Sequence, residues 1–276
     1  MLRFEKSDVG QFTLVKQVIE ELHLLSNIDP DDIMVVGASC RDILHAAYGH
    51  DFPLRGTTDV DVAIALPAWA PFERLTQQLK PTGSTGIRYL VGSIPVDLMP
   101  FGGVEDPVGT VMPARRAEDM DVFGFSEVFA RALKLPLAED LQIRIPSAAG
   151  YCALKLSAWV NRSVDYEFRD GSDIAAVVYW YLESKAIETR LYETAEGVAI
   201  LLATSADRLL ASAALLGRDL AAEIGPERVR ELAVRWPTSV RHKLVSEIGH
   251  ETLPRWTSDG QRRIAVVDAL CNGIWG

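Results

Sequence analysis

The sequence predicts an α+β protein: a mixed β-sheet with flanking helices over residues 1–146, followed by an α-helical domain over residues 147–276. Three observations carry this. Strand-like and helix-like patterns alternate as far as Pro146, and beyond it the apolar periodicity is almost only helical. The apolar run Ile33-Met34-Val35-Val36 ends directly in a glycine turn that opens a helix. The stretch Arg55-Gly56-Thr57-Thr58-Asp59-Val60-Asp61-Val62-Ala63-Ile64 reads as a strand, with Val60, Val62 and Ile64 on one face and Asp59, Asp61 and Ala63 on the other.

Taken in order, Val9, Phe12, Val15, Val18, Ile19 and Leu22 recur at helical spacing, so an amphipathic helix opens the chain. A polar turn with Pro30 leads into the Ile33–Val36 strand. The turn Gly37-Ala38-Ser39-Cys40-Arg41-Asp42 starts a helix that Ile43, Leu44, Ala47 and Tyr48 continue. A loop from His50 to Gly56 precedes the aspartate strand, which stops at Pro67. Trp69, Phe72, Leu75 and Leu79 mark the next helix, and Gly83 and Gly86 end it. Ile87–Val91 and Ile94–Met99, joined at Gly92-Ser93, form a β-hairpin with Ile94, Val96 and Leu98 on one face and Asp97 on the other. Pro95 predicts an edge position or irregular pairing, because it brings no backbone donor. Phe101–Pro113 is loop-like, Phe125–Leu133 helical, and Leu141–Ile145 a last strand. Helical patterns follow at 148–160, 172–182, 188–202, 206–216, 228–234 and 264–270.

Composition narrows the function classes. The net charge of -10 argues against a broad nucleic-acid-binding surface. A local excess of Arg228, Arg230, Arg235, Arg241, Lys243, Arg255, Arg262 and Arg263 near the C-terminus is either a basic patch or a solvated helical surface. No apolar run approaches a membrane span, and the start Met1–Lys6 has no apolar signal region, so a cytoplasmic protein without a membrane partner is expected. The 3 cysteines are widely spaced and odd in number, and read as reduced thiols without zinc spacing. The 5 histidines show no metal-ligand spacing; His45 falls on a helix and is expected to be packed or exposed. Trp159, Trp180, Trp236 and Trp256 are expected in the core.

The candidate chemistry lies in the aspartates. Asp is poor in strands, so Asp59 and Asp61 side by side need a reason: a solvated face or turn, or a cation between them. Asp97 repeats the arrangement on a strand able to neighbour the first. Three convergent carboxylates favour a divalent cation, and Mg2+ (two ions, with Mn2+ as a substitute) suits oxygen ligands. Upstream, strand, glycine turn and helix start form an anion-binding geometry at Gly37, Ala38 and Ser39; the glycine equally serves to fit the turn. Such a site would hold an NTP and two metals about 3.5–4 Å apart for in-line nucleotidyl transfer. In it Asp59, Asp61 and Asp97 are metal ligands, and Asp97 accepts the proton of the attacking hydroxyl. Arg55 and Arg88 either reach a nucleotide phosphate or pair with an aspartate, Arg88 lying across the hairpin from the Asp97 strand.

These residues resemble the DNA polymerase β-type nucleotidyltransferase superfamily, whose signature is a strand, a glycine turn, a helix, an Asp-x-Asp strand and a third carboxylate on a later strand. Within it the chain is similar to bacterial nucleotidyltransferases grouped with AbiEii-type abortive-infection toxins. The likeness rests on Val36–Asp42, Thr58-Asp59-Val60-Asp61, Val96–Gly103, Leu154–Trp159, Asp170–Ile174 and Leu215–Asp219, and covers roughly residues 30–220. Ala38 departs from the usual Ser or Gly, so Ser39 would supply the hydroxyl, and the interval from Gly37 to Asp59 is longer than in the minimal pattern. The resemblance implies a nucleotidyltransferase domain followed by a helical domain. It implies nucleotide contacts from Gly37, Ala38, Ser39, Arg41 and Thr58, a triphosphate-binding Lys155 with catalytic weight, and a supporting Asp173. Asp170 and Asp173 also suit the start of a helix as N-cap and third-position carboxylate. Three functions stay open: a toxin-type enzyme modifying a tRNA acceptor and controlled by an antitoxin protein, an enzyme modifying a small hydroxylated molecule, and a non-catalytic partner or antitoxin module of the same fold. The charged cluster argues against the third.

Overall fold

A computed structural model describes residues 9–236, 238–249 and 253–276. The chain divides into two compact units, Met1–Ser147 and Ala148–Gly276.

The first unit is built on a seven-stranded mixed sheet of order β3-β4-β5-β2-β1-β9-β8. Its elements run α1 (Val9–Leu25), β1 (Ile33–Val36), α2 (Gly37–Ala47), β2 (Val60–Leu66), α3 (Trp69–Gln78), β3 (Lys80–Pro81), β4 (Arg88–Val91) and β5 (Ile94–Gly102). A small hairpin of β6 (Thr110–Val111) and β7 (Met120–Asp121) follows, then α4 (Phe125–Arg131), β8 (Leu133–Pro136) and β9 (Gln142–Ile145). The central pairings are antiparallel β1–β2 and parallel β2–β5. Val60, Val62 and Ile64 are buried, as are Val15, Val18, Ile19 and Leu22 of α1, which packs on α2, α3, β2 and β4. Each such side chain contributes about 1.5–3 kcal/mol by leaving water.

The mixed sheet, flanking helices and following helical region agree with the sequence expectation. The prolines of β5 show how its pairing is arranged. β5 is an interior strand, yet Pro95 lies ahead of the β2 ladder, which begins at Val60↔Val96, and pairs only with β4 at Leu90. Pro100 lies beyond the β4 ladder and pairs with Ile64 of β2. Each proline therefore sits where one side of the strand is unpaired, so its missing donor costs no ladder bond. The loop after β5 is not structureless: Glu105 accepts hydrogen bonds from the Gly102 and Gly109 amides (2.8 and 2.6 Å) and from the Ser126 hydroxyl (3.0 Å). The short strands β3, β6, β7 and β8 have no periodicity of their own, and β8 replaces the end of the helix expected to reach Leu133.

The second unit is helical: α5 (Ala148–Arg162), α6 (Asp170–Glu183), α7 (Lys185–Glu193), α8 (Ala195–Ala203), α9 (Arg208–Arg235, interrupted at Gly225-Pro226), α10 (Thr238–Glu247) and α11 (Gly260–Trp275). The expected helix over 188–202 is two, because Thr194 is extended and its side chain caps α8 through the Gly197 amide. α9 and α11 pack backbone to backbone: a Cβ on Gly217 would meet the Leu270 carbonyl, and one on Gly273 the Ala214 carbonyl. Trp159 and Trp180 are fully buried, as expected. Trp236 and Trp256 are only half-buried; Trp236 lies against Trp275 with ring centroids 5.4 Å apart and planes tilted by 55°, and Trp256 donates to the Ile248 carbonyl at 2.6 Å. No helix among the described residues is long and apolar enough to cross a membrane.

Candidate functional site

The register of three strands assembles the carboxylates. Asp61 stands opposite Asp97 on the parallel neighbour β5, and opposite Val36, the last residue of β1. Side chains at paired positions share a face, so Asp61 and Asp97 project together. Asp59, two residues earlier and just outside β2, points the same way by strand alternation, and Thr57 donates its hydroxyl to it. All three aspartates are half-buried.

The hairpin adds a fourth charge. Arg88 of β4 pairs in register with Asp97, and its guanidinium makes two hydrogen bonds to that carboxylate, both 2.8 Å. The same terminal nitrogen donates to Asp59 at 2.6 Å. The Asp97 hydrogen bonds outweigh the cost of partial burial and raise the Arg88 pKa further above its already high value, so the group stays charged. One guanidinium thus bridges two of the three aspartates. Among the described residues no group of three or more His, Cys, Asp or Glu side chains stands ready to hold a metal ion. The donor set is nevertheless hard oxygen on one face, which is the chemistry Mg2+ or Mn2+ takes, so the residues fit such an ion once Arg88 yields Asp59 and Asp97.

The glycine turn is pressed against this cluster. Gly37 has φ +62°, and a Cβ on it would fall inside the Asp61 carboxyl group. Val36, which precedes the helix, makes no side-chain capping bond, and the first turn of α2 and the Asp61 carboxylate lie together at the end of β1. An anion beside a helix start is stabilised by the amides and the dipole. Gly37→Ala combines a disfavoured φ with an overlap and should cost about 2–4 kcal/mol. Urea unfolding measures this: a midpoint equal to that of the unsubstituted chain would mean that Asp61 does not pack on the turn.

The other expected nucleotide contacts divide. Arg55 and Thr58 are exposed in the loop ahead of β2, and Gly37 and Ala38 are half-exposed at the turn. Ser39 is fully buried in the first turn of α2, so it cannot serve as an open hydroxyl for a ligand in this conformation. Arg41 is 1% exposed; it donates to Asp42 at 2.8 Å and to the Arg55 carbonyl, and so anchors the loop from His50 to Thr58 rather than facing solvent. His45 anchors the same loop through the Phe52 carbonyl at 3.0 Å. Burial, then His50 nearby, pushes the His45 pKa down to about 4, so it is a packed neutral imidazole. His250 lies outside the described residues.

Lys155 and Asp173 meet in the helical unit. The Lys155 ammonium lies 2.5 Å from Asp173 and 3.1 Å from Asp170, and Asp170 also accepts from Arg162 at 3.1 Å. Burial alone would drive the lysine to neutrality, but Asp173 and Asp170 outweigh it and raise its pKa above the ordinary value. Asp170 is fully buried and receives side-chain cations; no capping bond from it appears among the described contacts at the start of α6. Sequence reasoning saw Asp170 as a cap and missed it as a partner of Lys155. Its spacing from Lys155 and Arg162 on a different helix carries no local signal.

Four of the eight basic residues expected to form a surface near the C-terminus pair with acids within the unit. Arg228 pairs with Glu231 at 2.6 Å, Arg235 with Glu231 at 3.6 Å, Arg262 with Asp207 at 2.8 Å, and Arg241 with Asp268. In the first unit a cleft of about 560 Å³, lined by Glu20, His23, Asp29, Asp31 and Asp140, lies by the start of β1, the end away from Asp61. No protein-family model and no curated protein matches the chain.

Proposed function

We propose that the protein is a divalent-cation-dependent nucleotidyltransferase that moves NMP from an NTP to a hydroxyl acceptor. The observation that carries this is the register pairing of Asp61 with Asp97 on parallel neighbours, with Asp59 on the same face and the Gly37 turn against them. The resemblance of the Val36–Asp42, Thr58–Asp61 and Val96–Gly103 segments to the DNA polymerase β-type superfamily supports the same reading. Asp59, Asp61 and Asp97 would hold the cation, and the chemistry it would supply there is charge stabilisation of the attacked α-phosphate and the departing pyrophosphate.

The chain's own groups do the rest. Gly37 and Ala38 offer backbone amides, and exposed Arg55 and Thr58 offer side chains, to the triphosphate. Asp97 takes the proton of the acceptor hydroxyl as its oxygen bonds to the α-phosphorus. The α-phosphorus–oxygen bond to pyrophosphate breaks in the same displacement. Ser39 and Arg41 support the turn and loop from within. Lys155 holds the helical unit together through Asp170 and Asp173.

The AbiEii-type likeness points to a tRNA acceptor and a toxin role with a cognate antitoxin. The internal pairing of Arg228, Arg235, Arg241 and Arg262 favours a second reading, a small hydroxylated acceptor, because it engages half of the basic groups a phosphate backbone would use. Incubation with α-labelled and γ-labelled NTPs, Mg2+, total tRNA and aminoglycosides decides between them. Transfer of the α-label alone is expected. Label on tRNA supports the first acceptor and label on aminoglycoside the second, whereas transfer of the γ-label, or of none, overturns the reading.

A further inference from the structure

We infer that Arg88 is the built-in counter-ion of the carboxylate cluster, a positioning residue that a divalent cation must displace from Asp59 and Asp97 before it is held there. This rests on the proposed metal-dependent reading of the site.

The argument starts from the backbone. The two-residue turn of the hairpin sets Arg88 opposite Asp97, so their meeting is fixed by register rather than by a chance rotamer. The guanidinium matches one carboxylate with two parallel donors, and one of those same nitrogens also reaches the second carboxylate. It therefore neutralises carboxylates that would otherwise repel each other in the absence of metal. A guanidinium has no lone pair for a metal and carries a positive charge. Its present position and a cation shared by Asp59 and Asp97 exclude each other.

Arg88 is also free to leave. Its side chain is 31% exposed, against 1% for Arg41, whose guanidinium is locked into the interior. Its stem lies near Gly83 in the loop before β4, where only glycine's absent side chain would have stood at 3.5 Å. Departure toward solvent costs ion-pair energy but does not open the core. A triphosphate gives the departing guanidinium a new anion, so cation and triphosphate each favour the binding of the other.

Mn2+ binding to the purified full chain tests this, read from the signal of free aqueous Mn2+ in electron paramagnetic resonance and from melting curves with and without Mn2+. Arg88→Ala is expected to bind Mn2+ about tenfold or more tightly than the unsubstituted chain, a factor equivalent to 1.4 kcal/mol of removed competition. Its melting temperature without metal should fall and be recovered by Mn2+. Arg88→Gln, which retains bulk and a donor but no charge, serves if the alanine variant does not fold and should change affinity in the same direction. Asp61→Asn separates the two levels of the claim. Loss of Mn2+ binding in Asp61→Asn, with equal or weaker binding in both Arg88 variants, overturns the counter-ion role and leaves the metal site standing. Equal Mn2+ binding in all variants, or none in any, removes the metal site and the counter-ion role together.

Discussion

Asp61→Asn is expected to lower nucleotidyl transfer by roughly 10²–10³-fold, the loss typical of removing one electrostatic partner of a charged transition state. Asp61 faces Asp97 in register and sits against the glycine turn. Asparagine keeps its shape and can still pack against Gly37, but it removes the anionic oxygen that a divalent cation takes. The loss should therefore appear in kcat without a matching fall in stability. Initial rates at saturating NTP, alongside a thermal melt, give both quantities. Retained activity would move the metal-holding role away from β2, and equal loss of activity and melting temperature would make Asp61 a packing residue.

The second large effect belongs to the helical unit. Lys155→Met should destabilise the protein by about 3–5 kcal/mol, because it removes the cation facing two almost fully buried carboxylates. A lysine whose task is to bind triphosphate gives the opposite signature: activity lost, stability kept or raised. Urea unfolding of the full chain distinguishes them. Lys155→Met combined with Asp173→Asn should recover part of the loss, since the remaining Asp170 still has Arg162 and the uncompensated charge is gone. An unchanged urea midpoint in Lys155→Met would return Lys155 to the ligand.

Some of the site is legible in the sequence because it depends on local geometry. Alternation along Asp59–Ile64 puts the aspartates on one face, and the Gly92-Ser93 turn counts back to place Arg88 opposite Asp97. The sequence left Arg88 with two roles, and its bonds to Asp97 and Asp59 assign it the carboxylates in this structure. The glycine turn was legible too, but not its tightness: nothing local to Gly37 announces that Asp61, distant in the chain, will occupy the space of its missing side chain.

By itself, then, the sequence determined the elements with clear periods: the apolar strands β1, β2 and β5, the hairpin, the amphipathic helices, and the change from mixed to helical patterning at Pro146. It also determined which carboxylates share a face within one strand, because that follows from the two-residue repeat of the backbone. Only the tertiary structure decided that β2 and β5 are parallel neighbours with Asp61 and Asp97 aligned, since pairing between strands separated by a helix and a hairpin leaves no periodic trace. It likewise decided the fate of the charges. Ser39 and Arg41 are inside, Lys155 is paired with Asp170 and Asp173, and Arg228, Arg235, Arg241 and Arg262 have acidic partners. Burial and ion pairing depend on what the rest of the chain brings alongside a residue, and that is settled by packing across the fold rather than by its neighbours in sequence.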